Sequence, residues 1–228
     1  MTAVTDLVEV VDRLLAPSGG CVWNRAQTHA TLARYAVEES YELVDAIDDG
    51  DPAELREELG DVLYQVVLHA GLAESFDLED VAAGARDKMM RRHPHVFGDE
   101  HADTVEEVVR VWRAAKAAEK SSRRSLFDGV PRAMPPLERA VKLLERLEER
   151  GDAATVVATV AADVHDEVVA SDARGGPVAQ DAASGIVDRS WGAALLASVA
   201  AARDAGIDPI ASLRAAVSDL EAAGRAGD

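Results

Sequence analysis

Apolar residues recur at spacings of three and four along most of the chain, which is the period of an amphipathic α-helix. One apolar stripe in the segment 5–16 is formed by Leu7, Val8, Val11, Leu14 and Leu15. Aromatic residues make up 4% of the chain, and alternating β-branched runs are few. The pattern therefore predicts an all-α protein.

Capping signals divide the first 124 residues into five helices, predicted over about 5–16, 30–48, 52–74, 78–92 and 105–121. The last three helices are marked at their N-termini by Asp51 with Pro52 and Glu54, by Asp77, and by Thr104 with Glu107. In the second helix the residues predicted to point inward are Leu32, Tyr35, Leu43, Val44 and Ile47.

The stretch SLFDGVPRAMPP, residues 125–136, contains a glycine and three prolines between two strongly helical regions. It predicts a linker between a domain over 1–124 and a second helical domain over 137–228.

The net charge of −18 excludes most sequence-reading nucleic-acid binders, because the phosphate backbone repels an acidic surface. A single cysteine, Cys21, rules out an intramolecular disulfide and fits a reducing compartment. The N-terminal segment has the pattern of a helix rather than of a signal peptide, and no apolar run could span a bilayer. We expect a cytoplasmic protein that binds neither membrane nor nucleic acid.

Two acidic motifs carry the candidate chemistry. Glu38, Glu39 and Glu42 form E-E-x-x-E on the second helix, and Glu58 and Asp61 form E-x-x-D on the third. Offsets of three and four place the acids of each motif on one helix face. Because the turn between the helices is short, the two acidic faces are predicted to meet.

Converging carboxylates repel one another and lose hydration, which a divalent cation relieves. All-oxygen ligation favours Mg²⁺, with Mn²⁺ as a possible substitute, over Zn²⁺. The predicted metal ligands are Glu39, Glu42, Glu58 and Asp61. The alternative interpretation is a solvated acidic face, but Leu59, Val62, Leu63, Val66 and Val67 surround the E-x-x-D pair.

The histidines are interpreted as structural. His93 and His95 fix the turn at a helix end, and His69 is a lone residue that packs or faces solvent. A ferritin-like di-metal bundle is set aside because no histidine has a glutamate three residues before it.

Four segments, VEESYELVDAI, ELREELGDVLYQVV, DKMMRRHPHVFGD and VWRAAKAAEK, resemble successive signatures of the MazG nucleotide pyrophosphohydrolases. The resemblance covers about residues 20–120. It implies a MazG-like helical bundle that forms a homodimer and hydrolyses an NTP or dNTP to the monophosphate and pyrophosphate. Nucleotide-pool housecleaning is the expected role.

The resemblance also assigns residues. Glu39, Glu42, Glu58 and Asp61 fall on the family's metal positions, and Glu38 is the candidate acid that activates water. The family's substrate-binding positions fall on Lys88, Arg92, Trp112 and Lys116. Arg91 could substitute for Lys88 or Arg92. The segment CVWNRAQTH resembles the family's entry segment and retains its tryptophan, Trp23.

Related all-α enzymes, the dimeric dUTPases and phosphoribosyl-ATP pyrophosphohydrolases, remain alternatives, because carboxylate pairs alone do not separate them. A non-enzymatic acidic helical dimerisation module is the other alternative.

The sequence of the second half shows a weak similarity to that of the first half. Asp163 and Asp166 align with Glu39 and Glu42, and Asp188 aligns with Asp61, whereas the counterpart of Glu58 is Gly185. The segment SLFDGVPRAMPPLERAVKLLERLEERG also resembles the linker of full-length MazG proteins. These matches predict a degenerate, inactive second copy, although a chance match between Ala-rich helices would look similar.

Overall fold

The computed structural model describes residues 2–119, 125–172 and 187–225, of which 164–172 are described by their backbone alone. Within these ranges the chain is helical and contains no strand, which confirms the all-α prediction. It divides into two compact units, Met1–Ser121 and Ser122–Asp228. None of the described helices is long and apolar enough to cross a membrane.

The first unit contains seven helices among its described residues. They are α1 (Ala3–Leu15), α2 (Val22–Arg25), α3 (His29–Asp49), α4 (Pro52–Gly71), α5 (Leu78–Arg92), α6 (Pro94–Phe97) and α7 (Val105–Glu119). The second unit contains α8 (Pro136–Arg150), α9 (Ala153–Asp172), α10 (Arg189–Asp204) and α11 (Pro209–Arg225).

The predicted N-terminal signals are found at the helix starts. Asp77 caps α5 by accepting the Asp80 amide. Thr104 and Glu107 form the expected reciprocal capping box. At α4 the prediction is only half right, because the Asp51 carboxylate accepts the amide of Ala53 and not that of Glu54. A simple cap on the second helical residue therefore replaces the capping box.

Two predicted segments differ from the structure. The loop after α1 contains one helical turn, α2. Helix α4 ends at Gly71 and not near Glu74, and Leu72, in the turn that follows the helix, packs against the core cluster.

Helices α3 and α4 form an antiparallel hairpin that positions the candidate site. Gly50 closes α3 with φ of +74°, a backbone conformation that suits glycine because it lacks a Cβ. Asp51 and Pro52 then start α4 at once. Because only Gly50 and Asp51 connect the two helices, the register between α3 and α4 is fixed close to the turn.

The core of the first unit is built where α1 packs on this hairpin. Val11, Leu32, Val67 and Leu68 are buried together. Gly71 allows the close approach of α1, because a Cβ at this position would lie 3.0 Å from side-chain atoms of Val11 and Leu15.

The inward assignment of Ile47 is wrong. Its side chain is 56% exposed, and the neighbouring Ala46 is buried. Leu32 and Ala46 lie fourteen residues apart, close to four helical turns, so Ala46 continues the buried stripe and Ile47 is rotated by about 100°.

The second unit has its own core. Val141, Leu144 and Val199 are buried together, and Val157 and Leu196 pack against them. Helices α9 and α10 are in extensive contact, and α10 also packs on α8. An ion pair between Arg203 and Glu148 joins α10 to α8, with Nη2 to Oε2 at 2.8 Å.

Replacing Val67 by Ala should lower the free energy of unfolding by about 2 kcal/mol, because the side chain is 2% exposed and its removal leaves a cavity. The matched control is Val105→Ala in the same unit, where the side chain is 75% exposed. Urea denaturation of both variants checks this, and equal losses would contradict the assignment of Val67 to the core.

Candidate active site

Three carboxylates converge across the α3–α4 hairpin. Glu39 on α3 and Glu58 and Asp61 on α4 each offer an oxygen, and the three oxygens lie within 4.8 Å of one another. Glu39 and Glu58 are half-buried, whereas Asp61 is exposed. In the part of the chain that the structure describes, this acidic triad is the group of three or more potential ligands that could hold a metal ion.

The other two predicted acids flank the triad. Glu42 lies one turn after Glu39, and its charge is among the causes that raise the pKa of Glu39. Glu38 is exposed and lies outside the acidic triad. Its carboxylate acts electrostatically on the Arg34 guanidinium, one turn earlier on α3.

Burial raises the pKa of Glu39 above its ordinary value, although the hydrogen bond from Gln65 opposes this; nearby Asp61 and Glu42 raise it further. Burial is likewise the first cause that raises the pKa of Glu58, followed by the charge of Asp61. The site thus disfavours the charged state of its own acids.

A divalent cation fits this site. Glu58 Oε2 is buried and has no hydrogen-bond partner among the described residues, so a member of the acidic triad has an acceptor oxygen without a donor. All the donor atoms are carboxylate oxygens, the type that hard divalent cations prefer.

Gln65 also belongs to the site, which the sequence did not predict. It lies one turn after Asp61, is buried, and donates from Nε2 to Glu39 Oε1 at 3.2 Å. In the sequence, its spacing of four residues from Asp61 indicates that Gln65 shares the helix face of the E-x-x-D motif. The apolar residues on either side of it made this indication easy to overlook.

The predicted cations form a second group at the ends of α5 and α7. Glu119 pairs with both arginines: Arg92 Nη2 lies 2.8 Å from Glu119 Oε2, and Arg91 Nε lies 3.3 Å from Glu119 Oε1. The Arg92 hydrogen bond is the main cause that lowers the pKa of Glu119. Glu119 lies within the segment VWRAAKAAEK, but the sequence did not predict its ion pairs with α5.

Trp112 lies among these cations. The Arg92 guanidinium carbon is 5.5 Å and the Lys116 Nζ is 4.5 Å from the ring centroid, both within cation–π range. Lys88 is exposed on α5, one turn before Arg92. The structure therefore brings Arg91, Arg92, Trp112 and Lys116 together. The basic residues Lys120, Arg123 and Arg124, which follow α7 in the sequence, lie outside the described residues.

The entry segment contributes Trp23, which is exposed and packs edge-on against Tyr35 with ring centroids 5.7 Å apart. The next residue, Asn24, is buried and donates to the Tyr64 hydroxyl at 2.9 Å. Its amide thus ties α2 to α4.

The prediction for His69 needs correction, because the residue is not alone. Its ring stacks on that of His29, and the two Nδ1 atoms are 2.8 Å apart. One must donate and the other accept. Burial, and then the proximity of His29, lower the pKa of His69. His93 behaves as expected at its helix end, where Nδ1 donates to the Met89 carbonyl at 2.7 Å.

The counterparts in the second unit are arranged differently. Asp188, aligned with Asp61, is the N-cap of α10 and accepts the amides of Ser190 and Trp191. Asp163 is exposed. The Asp166 side chain and Gly185 lie outside the described residues.

The raised pKa values of Glu39 and Glu58 predict a pH effect on stability. Above the ordinary carboxyl value of 4.5, the folded protein binds more protons than the unfolded chain. The contribution of these two carboxyls to the stability of the metal-free protein should therefore fall as pH rises from about 4.5 through the raised values, whereas His69, whose pKa is lowered, contributes in the opposite direction below its ordinary value of 6.5. Thermal unfolding between pH 4 and 8 measures this.

Adding MgCl₂ should recover the lost stability, and most strongly at the higher pH, because a cation binds the ionised carboxylates of the folded state. Glu58→Gln should reduce both the pH effect and the response to MgCl₂, whereas Glu106→Gln, at an exposed position on α7, should leave both unchanged. Equal responses of the two variants would contradict cation binding at Glu58.

Similarity to known proteins agrees with this geometry. Residues 27–97 match the family model for the MazG nucleotide pyrophosphohydrolase domain. An uncharacterized 26.1 kDa protein of Streptomyces cacaoi is 50% identical over 151 residues, which cover 64% of this chain and 61% of that protein. The nucleoside triphosphate pyrophosphohydrolase of Escherichia coli K12 is 40% identical over 173 residues, 74% of this chain and 66% of that protein.

A third relative, the nucleoside triphosphate pyrophosphohydrolase/pyrophosphatase MazG of Thermotoga maritima, is 41% identical over 147 residues, 63% of this chain and 54% of that protein. The chain thus spans less than two thirds of the length of these relatives. The acidic triad lies within the matched residues, and the chain belongs to the MazG family of nucleotide pyrophosphohydrolases.

Proposed function

We propose that the chain is a Mg²⁺-dependent pyrophosphohydrolase that cleaves an NTP or dNTP to the nucleoside monophosphate and pyrophosphate. The convergence of Glu39, Glu58 and Asp61 within 4.8 Å carries the proposal. Relatives that share the matched region are named nucleoside triphosphate pyrophosphohydrolases.

Glu39, Glu42, Glu58 and Asp61 would hold the metal. Bound Mg²⁺ supplies charge neutralisation for the substrate phosphates and lowers the pKa of water. The protein positions the carboxylates before the metal binds. Gln65 orients Glu39 through its hydrogen bond, and the α3–α4 hairpin places Glu58 and Asp61 next to α3. Mn²⁺ offers the same oxygen-ligand chemistry and is the expected substitute.

A carboxylate outside the acidic triad is needed to orient or deprotonate the attacking water. We assign this role to Glu38, whose exposed carboxylate adjoins Glu39 in sequence and interacts with Arg34. The attack is directed at the α-phosphorus, so that pyrophosphate departs.

The cations of α5 and α7 would stabilise charge on the departing pyrophosphate. Lys88, Arg92 and Lys116 are the proposed phosphate contacts, with Arg91 beside them. Arg92 has a 13% exposed side chain held by Glu119, which keeps the guanidinium in place before substrate arrives. Trp112, with Trp23 from α2, offers aromatic surface to the nucleoside.

Glu58→Gln should lower kcat/KM by at least about 100-fold, because it removes a charged metal ligand from the acidic triad. Glu106→Gln is the matched control and should retain wild-type activity. The assay incubates a panel of NTPs and dNTPs with and without Mg²⁺ and separates the products.

Monophosphate and pyrophosphate are the expected products. Diphosphate and inorganic phosphate would contradict attack at the α-phosphorus. If no nucleotide is cleaved and Glu58→Gln does not change the response of thermal stability to MgCl₂, the acidic helical dimerisation module becomes the better explanation. Comparing Glu38→Gln with Glu42→Gln separates the water-activating role from metal ligation, since only a lost metal ligand should raise the Mg²⁺ concentration required.

We further propose a homodimer. Leu59, Leu63 and Val66 on α4 are exposed and spaced by four and three residues, so they share one helix face. A second copy is the expected cover for this apolar surface, as in the family that the sequence resembles. The proposed role in the cell is removal of unwanted nucleotides from the cytoplasmic pool.

Leu63→Lys should shift the dimer towards monomer, because it places a charge at the centre of this exposed apolar face. Val22→Lys, at an exposed position on α2, is the control. Light scattering coupled to size-exclusion chromatography gives the mass, and a Leu63→Lys protein of unchanged dimeric mass would contradict this interface.

A further inference from the structure

A cavity of about 470 Å³ lies in the second unit, between the segment 125–136 and the helices α8, α9 and α10. Its walls are mostly aliphatic side chains, among them Leu143, Val156, Val160 and Leu196. The volume lies in the range of small-molecule sites, which are lined by apolar side chains and a few polar groups. None of the lining residues belongs to the proposed nucleotide site.

The charge of the lining is opposite to that of the chain. Asp and Glu residues outnumber Lys and Arg residues by 42 to 24 in the sequence. Among the described residues of the lining, however, the charged side chains are those of Arg132 and Arg139, and all others are apolar. The cavity therefore combines a local positive charge with apolar walls, which favours an anion that carries an apolar body.

The two arginines have no protein partner to neutralise them. Within the residues that the structure describes, neither Arg132 nor Arg139 forms an ion pair or a side-chain hydrogen bond. By contrast, Arg203 of the same unit pairs with Glu148. Arg132 is exposed, so a ligand can reach it, and Arg139 is half-buried on α8. A guanidinium beside apolar walls loses hydration, and a bound anion compensates for that loss.

We infer that this cavity binds a single-chain aliphatic carboxylate, whose head group pairs with Arg132 and Arg139 and whose chain lies along the apolar walls. A guanidinium donates two parallel hydrogen bonds to a carboxylate, so the head group matches in charge and in geometry. Flat ring systems gain most from aromatic walls, whereas Phe127 is the single aromatic residue in the described lining. The inference concerns the second unit and does not depend on nucleotide hydrolysis.

Isothermal titration calorimetry of the full chain with octanoate and decanoate, below their micelle concentrations, tests the inference. Decanoate should bind about tenfold more tightly than octanoate, because two further methylene groups leave water. Uncharged 1-octanol should bind about tenfold more weakly than octanoate, because it lacks the charge-assisted hydrogen bonds. Absence of decanoate binding, or equal affinities for octanoate and 1-octanol, overturns the inference.

Arg132→Gln removes the charge at an exposed position that the fold should tolerate, and it should lower the affinity for decanoate by about tenfold. Arg139→Gln should have a similar effect, and thermal unfolding checks that each variant is folded. Arg225→Gln is the matched control, because it removes one charge from an exposed side chain of α11, outside the lining. If Arg132→Gln and Arg225→Gln bind decanoate equally well, the inference is wrong, whatever Arg139→Gln does.

Val160→Asp tests the position of the alkyl chain. This side chain is 38% exposed, and a carboxylate in its place should lower the affinity for decanoate by about tenfold or more, since it repels the head group and disfavours the chain. Leu220→Asp makes the same change of charge at a 73% exposed position outside the lining and should bind like the wild type. Equal affinities of these two variants would contradict the binding of the chain in this cavity.

A second copy of the chain is the competing occupant of the cavity. Light scattering at the concentrations used for calorimetry distinguishes the two. If decanoate binds only when the protein dissociates to a lower mass, the cavity is an interface between copies and the inference is overturned. Binding without a change in mass supports the carboxylate site.

Discussion

The repulsion among Glu39, Glu58 and Asp61 is the constraint on which the first unit depends. Three carboxyl groups within 4.8 Å oppose the pairing of the two helices that hold them. The opposing force is apolar: Val67 and Leu68 on α4 are buried against Leu32 on α3 and Val11 on α1. The hydrophobic core therefore keeps the acids together, and a bound cation would relieve the strain that the core imposes.

The acidic triad and the core share the same helices but lie on different faces. On α4, Glu58, Asp61 and Gln65 follow one line of the helix, whereas Val67 and Leu68 follow another. Ionisation of the acids thus changes the stability of a helix pair without exposing its apolar side. This separation lets one hairpin serve both as the main structural element of the unit and as the candidate metal site.

Hydrogen bonds and ion pairs with neighbouring residues hold the polar side chains of the candidate site in place. Glu119 holds Arg91 and Arg92 near Trp112, so part of the cationic surface is ordered by an ion pair that a phosphate can replace. Gln65 uses one end of its amide on Glu39 and leaves the other end buried without a partner. In both places a protein contact fixes a polar side chain of the candidate site.

By itself, the sequence determined the helical class, most helix starts and the pairing of the two acidic motifs, since periodicity, capping and a short turn are local properties. Asp77 and Thr104 with Glu107 cap their helices as predicted. Local rules failed where a contact from elsewhere in the chain intervened. Helix α4 ends at Gly71, before the predicted end, and the packing of α3 on the core buries Ala46 and leaves Ile47 exposed. Only the tertiary structure decided that His69 meets His29, that Glu119 joins two arginines, and that Gln65 bonds to Glu39. The members of each contact lie 26 to 40 residues apart, and spacing along a single helix carries no information about a partner on another.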